Sequence, residues 1–128
     1  MIPRTLAEYV PRLRKADDDI WRMRIVLHEF GLRWEDTPVD ERLELVERAP
    51  EPINAPWDAF LAAYVEHRCY HDGLEAPTWV FGEDRYLEGF WFPFPPAWKA
   101  FRVEAMVHAP AAFEAHGTLV AERDLMVV

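Results

Sequence analysis

Aromatic side chains and prolines are crowded into one stretch of this chain, and that stretch limits what the chain can fold into. The chain has 18 aromatic residues (six tryptophans, four tyrosines and eight phenylalanines), and nine of them lie in residues 79–101. Glycines and three closely spaced prolines interrupt the stretch, so no regular element longer than about two helical turns fits between them. Because an aromatic side chain buries roughly 150–250 Å², the remaining chain must cover this loop or leave part of it for a partner.

The composition predicts one soluble globular domain spanning residues 1–128. The chain is 51% hydrophobic and 29% charged, which excludes a disordered polymer, and it has no apolar run long enough to cross a membrane. The single Cys69 cannot form an internal disulfide. The N-terminal segment lacks the apolar core of a signal peptide, so we expect a cytoplasmic protein.

Helical spacing of apolar residues predicts an all-α fold, a single compact multi-helix domain with an aromatic, proline-rich loop. Residues 57–71 show the clearest pattern, with apolar positions at i, i+3, i+4 and i+7 and Gly73 just beyond the last turn. The three prolines of residues 49–56 predict an extended connector before this helix. Residues 118–128 are compatible with either a short strand or a final helix.

Local signals place the other helices. Thr5 followed by Glu8 forms a capping box, although Pro11 should split or kink the helix that it opens. Three aspartates at 17–19 favour a helix start, and the amphipathic pattern behind them should bend near Gly31. Thr37 is the expected N-cap of a third helix, with Pro38 at its first position.

Two further helices are expected in the C-terminal part. A helix from Ala97 should turn towards the core Trp98, Phe101, either Val103 or Arg102, Ala105 and Met106. A short helix should follow Pro110 and stop at Gly117, because proline suits a first helical position and glycine the residue beyond the last turn.

The net charge of −9 is concentrated in the middle of the chain. Residues 31–75 hold 11 acidic and four basic side chains. An acidic surface repels phosphate backbones, which disfavours direct nucleic-acid binding, and it attracts a more basic protein. No glycine-rich phosphate loop or dinucleotide fingerprint is present.

Two histidines are the main candidates for metal chemistry. His67 and His71 are four residues apart on the best helix, so their imidazoles lie on one face and could share a zinc ion. The zincin motif requires a glutamate at position 68, where this chain has Arg68. No further ligands can be named with this pair, so we expect no metal, no cofactor and no catalytic centre.

Cys69 lies near a helix C-terminus, where the dipole disfavours a thiolate.

The aromatic loop is the preferred candidate binding site. Aromatic side chains surrounded by polar residues are typical interface anchors, and the rest of the loop would form a small core under the prolines. The residues expected to contact a partner are Trp79, Phe81, Arg85, Phe90, Trp91, Phe92, Phe94 and Trp98. The sequence does not distinguish a monomer from a homo-oligomer.

The second half of the chain resembles an uncharacterised family of small bacterial, mainly actinobacterial, proteins and C-terminal domains. The resemblance covers residues 57–128 and includes the segments WDAFLAAYVEH, APTWVF, DRYLEGFWFP and FRVEAMVHAPAAFEAHGTLVAERDL. The residues that match the most recognisable sequence motifs of this family are Trp79, Arg85, Phe90, Trp91, Phe92, Ala109, Pro110, Phe113, Gly117, Arg123 and Asp124.

The resemblance implies an antitoxin role. Members of that family often follow a helix-turn-helix module and accompany nucleotidyltransferase-like toxins. This chain shows no such module ahead of its first amphipathic segment, so an antitoxin of this kind would act by protein contact. The prediction is therefore a non-enzymatic module that masks a more basic protein. The alternative is a small ligand- or metal-binding protein or enzyme with an aromatic-lined cleft, served by His67, His71 or His108.

Overall fold

The structure, a computed structural model, describes residues 2–125. Its fold is all-α, as the sequence predicts. None of the helices in this part of the chain is long and apolar enough to cross a membrane. The α-helices are α1 (Val10–Lys15), α2 (Asp19–Arg24), α3 (Gly31–Asp36), α4 (Ala55–His71), α5 (Lys99–His108) and α6 (Ala111–His116). Short 3-10 helices are Ala7–Tyr9, Val39–Leu45, Thr78–Phe81, Glu83–Arg85 and Glu122–Leu125.

Helix α4 forms the centre of the core. It begins two residues earlier than predicted because the Asn54 side chain accepts a hydrogen bond from the backbone N–H of Trp57 at 3.0 Å. Every residue from Trp57 to Val65 is buried, so this part of α4 is covered on all sides. The other helices and the aromatic loop pack around it, and Phe113 of α6 meets Phe60 edge-on at 5.4 Å.

The N-terminal signals act as predicted. Thr5 and Glu8 form the capping box, in which the backbone N–H of Thr5 donates to the Glu8 carboxylate at 3.0 Å. Pro11 lies in the first turn of α1 after the 3-10 helix, so the segment is split into two short pieces. Asp18 caps α2 by accepting the N–H of Trp21 at 2.8 Å.

Two details of the next segment differ from expectation. The irregularity predicted near Gly31 is a π-helical segment, Ile25–Phe30, that joins α2 to α3 without a break. Thr37 is not the N-cap of a third α-helix. Its hydroxyl donates back to the carbonyl of Arg33 at 2.7 Å, and Pro38 is extended, so the segment that follows is a 3-10 helix.

The C-terminal region closes the core beneath the aromatic loop. Gly117 ends α6 with φ +87°, which a glycine adopts readily. The next residue, Thr118, pairs with Trp91 in an isolated parallel bridge, so residues 2–125 contain strand-like pairing without a regular strand. Beyond the bridge the chain forms the final 3-10 helix. The rest of the tail, residues 126–128, lies outside the described residues.

Candidate functional site

The start of the aromatic loop is a structural element. The indole N–H of Trp79 donates to the carbonyl of Val46 at 2.8 Å, and the guanidinium of Arg85 lies 4.8 Å from the centre of the Trp79 ring. Arg85 is 4% exposed and donates to the carbonyls of Asp58 and Pro50, at 3.2 and 3.0 Å. Arg85 therefore attaches the loop to α4 and to the proline connector, and Trp79 attaches it to the residue after the 3-10 helix Val39–Leu45.

A buried histidine continues this network. Nδ1 of His116 donates to the Arg85 carbonyl at 2.7 Å, and Nε2 lies 2.8 Å from a carboxylate oxygen of Glu66. The ring is fully buried and stacks on Tyr86 with centroids 4.2 Å apart. Because both ring nitrogens are used, His116 links α6, α4 and the loop and has no free nitrogen for catalysis.

The middle of the loop is mostly covered as well. Trp91 packs edge-on against Trp57 at 5.7 Å, and Phe94 is 5% exposed. The Arg102 guanidinium lies 4.9 Å from the ring centre of the half-buried Phe92. The predicted site residues that remain exposed are Phe81 (53%), Phe90 (64%) and Trp98 (41%).

Five exposed apolar side chains lie on α5 and at the residue just before it. Ala105 is buried as predicted and is the one fully buried residue of α5, whereas Trp98, Phe101 and Met106, also predicted to face the core, are exposed. We define the α5 patch as Trp98, Phe101, Val103, Met106 and Val107, which are 41%, 41%, 61%, 65% and 68% exposed. The sequence contains a signal for this patch, because apolar residues surround α5 and one neighbour cannot cover every side.

Few interactions attach α5 to the body. Nε and Nη2 of Arg102 donate to the Phe94 carbonyl at 3.2 and 2.7 Å. Glu104 forms an ion pair with Arg123 at 2.5 Å. With Ala105, these contacts hold the inner side of α5 and leave its outer side without a neighbour in residues 2–125.

A second candidate site is a cleft of about 980 Å³ on the other side of α5. It lies between α3, α4, α5 and the last 3-10 helix. Its lining contains three histidines, two arginines, three glutamates and two leucines, and none of the aromatic residues 79–101. The residues are Leu32, Glu35, His67, Arg68, His71, Glu104, His108, Glu122, Arg123 and Leu125. The structure thus brings the three predicted histidines together but separates them from the aromatic loop.

His67 is the most unusual group in the cleft. It is 8% exposed, and its ring meets His71 at 4.4 Å and Phe113 at 5.8 Å, both edge-on. Burial, then the nearby charges of His71 and Arg68, lower the pKa of His67 to about 4.

The charges in the cleft are largely paired. Arg68 donates to Glu35 at 2.5 Å, and Arg123 binds Glu104. Glu122 has only the imidazole of His71, with Nε2 3.9 Å from its carboxylate oxygen. Within the described part of the chain, no three His, Cys, Asp or Glu side chains are arranged to hold a metal ion. The cleft therefore has an excess of negative charge that is not organised around a single point.

Cys69 is a structural residue. It is 1% exposed, and burial followed by the charge of Asp72 raises the pKa of its thiol to about 11. The thiolate is the reactive form of cysteine, so this side chain is a poor nucleophile.

Comparisons of the chain with protein-family models, curated proteins and solved structures find no match. The resemblance to an antitoxin-like family thus remains a prediction.

Proposed function

We propose that this protein is a non-enzymatic protein-binding module of the antitoxin type, which masks a more basic partner in the cytoplasm. The observation that carries the proposal is the α5 patch. Four apolar side chains of α5, and Trp98 just before it, are exposed in a chain whose other helices surround a filled core. Exposed apolar surfaces of this kind on soluble proteins are typically binding sites.

The size and composition of the α5 patch suit a protein partner. Its five side chains are all at least 41% exposed and together offer an apolar area on the order of a few hundred Å². Tryptophan, phenylalanine and methionine are enriched at the centres of protein interfaces. In the loop before α5, Trp98 packs against Phe101 with ring centroids 5.3 Å apart, so the two rings would enter a partner together.

Charge favours a basic partner over nucleic acid. The chain carries −9, with most of the excess in residues 31–75. This field would accelerate the approach of a positively charged protein and repel a phosphate backbone. The resemblance of residues 57–128 supports a nucleotidyltransferase-like toxin as that partner.

The test is reconstitution with a defined partner. The tagged protein is purified from its host, a co-purifying protein is identified by mass spectrometry, and the complex is rebuilt from the two purified chains. The double variant Val103→Glu/Met106→Glu places two charges in the α5 patch and should weaken binding by at least about 100-fold, because truncation or charge at interface anchors costs several kcal/mol.

The control is Ala111→Glu/Ala115→Glu, which adds the same charges at exposed positions of α6. It should bind as tightly as the unmodified protein. Equal affinity of both double variants, measured by calorimetry, would exclude the α5 patch as the binding surface. Failure of the purified protein to inhibit the partner's activity would exclude the masking role.

A further inference from the structure

The attachment of α5 to the rest of the protein is light, and it includes an ion pair whose charges are not balanced. We propose that α5 detaches and unfolds by itself in a small fraction of molecules, while the core around α4 stays folded, and that the Glu104–Arg123 pair sets this fraction. The α5 patch then exists only while α5 is attached. This opening is a property of the free protein and does not depend on a partner.

The first argument is how little of α5 is buried. Ala105 alone is fully buried among its 10 residues. Of the elements in residues 2–125, none packs closely along α5, and the cleft of about 980 Å³ lies between it and helices α3 and α4. By contrast, α6 packs directly on α4 and fully buries Phe113. Elements with few buried apolar contacts open at a lower free energy than the core does.

The second argument is the chain at both ends of α5. Trp98, just before the helix, is not helical, and Pro95 and Pro96 precede it. Ala109, just after the helix, is extended with ψ 133° because it precedes Pro110. Neither end therefore continues into another helix, which confines the opening to α5. A helix of 10 residues is marginal in water without tertiary contacts, so α5 unfolds when it detaches.

The third argument is the charge beside the Glu104–Arg123 pair. Arg123 belongs to the last 3-10 helix, is 67% exposed and lies 2.5 Å from the Glu104 carboxylate. The next residue, Asp124, has a buried carboxylate oxygen with no hydrogen-bond partner in the described chain. Burial raises the pKa of Asp124, Arg123 opposes this effect, and the charge of Glu104 adds to it. One arginine thus faces two carboxylates, and the charge of Asp124 repels Glu104 and favours opening.

Native-state hydrogen exchange of the full-length protein, followed by NMR at low urea concentrations, measures the opening. Relative to the unfolded-chain rates, we expect the α5 amides to exchange at least about 100-fold faster than the α4 amides. The α5 rates should depend little on urea, because a local opening exposes little surface. Equal protection of α5 and α4, with the same urea dependence, would overturn the proposal.

Two substitutions test the role of the charges. Arg123→Gln removes the cation of the pair and should speed exchange of the α5 amides about two- to five-fold, as expected for loss of an exposed ion pair. Asp124→Asn keeps the shape of the side chain, removes the opposing charge and should slow the same amides by a similar factor. The control is Arg4→Gln, which removes an exposed ion pair with Glu44 in the N-terminal part and should leave α5 exchange unchanged.

Two outcomes would overturn the assignment of the Glu104–Arg123 pair. Unchanged α5 exchange in Arg123→Gln would show that the pair does not hold the helix. Faster α5 exchange in Asp124→Asn would show that the charge of Asp124 favours attachment. The α4 amides of each variant report on the stability of the core, so a general loss of folding is recognised in the same experiment.

Discussion

The guanidinium of Arg85 shows how far the role of one residue depends on its surroundings. The sequence places Arg85 in an aromatic loop, where an arginine is a typical interface anchor. In the structure it is buried against Trp79 and satisfies two carbonyl groups, of Asp58 and Pro50. Buried guanidinium groups require such partners, so the residue type alone allowed either role.

At the same scale, His67 predicts a specific pH dependence. Its native pKa of about 4 lies below the ordinary value of 6.5, because burial and His71 disfavour the charged ring. The unfolded chain therefore binds more protons between these two pH values, and stability falls as the pH falls through this window. The contribution of His67 to the loss should reach about 3 kcal/mol near pH 4.

Urea unfolding at several pH values measures this effect. Comparison of the wild type with His67→Phe separates it from the titration of the carboxylates, which both proteins share. The free energy of unfolding of the variant should decline less steeply between pH 6.5 and 4. Parallel curves for the two proteins would show that His67 does not contribute to the pH dependence.

At the scale of elements, α4 and α5 differ in outcome although both are apolar on most sides. A helix that is hydrophobic all round is expected to be buried, and α4 is. Helix α5 follows a loop of prolines and is held on one side only, by Ala105, Arg102 and Glu104. Within residues 2–125, no other element packs against the outer side of α5.

The turn after α6 gives a prediction at the element scale. Gly117 has φ +87°, and a Cβ there would lie 2.7 Å from the carbonyl oxygen of Gly89 and 3.0 Å from Cβ of Leu87. Gly117→Ala would therefore combine backbone strain with a clash against the aromatic loop. We expect it to lower the free energy of unfolding by about 2–4 kcal/mol.

Gly73 supplies the matched control. It has φ +69°, but a Cβ at this position would meet no atom within 4 Å. Gly73→Ala should cost only the strain of a left-handed residue, about 1–2 kcal/mol. Urea denaturation of the two variants measures the difference, and an equal cost would show that the loop moves away from Gly117 without penalty.

At the scale of the whole molecule, one core joins the two halves of the chain. In the N-terminal part Tyr9 packs against Phe30, which meets Tyr64 of α4, and Phe113 from the C-terminal part meets Phe60 on the same helix. A core of this kind should unfold as a unit.

We therefore expect a single cooperative urea transition for the complete chain. Far-UV circular dichroism reports on the helices, and fluorescence reports on the six tryptophans, which occur in both halves. The two curves should share one midpoint, with a slope of about 1–3 kcal/mol per M urea. Two separated midpoints would indicate that the N-terminal and C-terminal halves unfold independently.

The sequence by itself determined the helices whose boundaries depend on local chemistry. The capping box of Thr5 and Glu8, the cap at Asp18 and the glycines at 73 and 117 act between residues a few positions apart, so they can be recognised without the fold. The apolar periodicity of residues 57–71 likewise predicts the helix α4. Thr37 shows the limit of such signals, since a threonine hydroxyl can accept an N–H of the helix that follows or donate to a carbonyl of the helix before it, and here it donates to the carbonyl of Arg33.

Only the tertiary structure decided which aromatic residues are exposed and which histidines lie in a cleft. Both depend on contacts between residues far apart in sequence, such as Trp91 with Trp57 and His71 with Glu122. A run of apolar residues indicates that part of the run is buried. It does not show which of its side chains other elements of the fold can cover. In this protein α4 takes the centre of the core, and the outer side of α5 is left exposed.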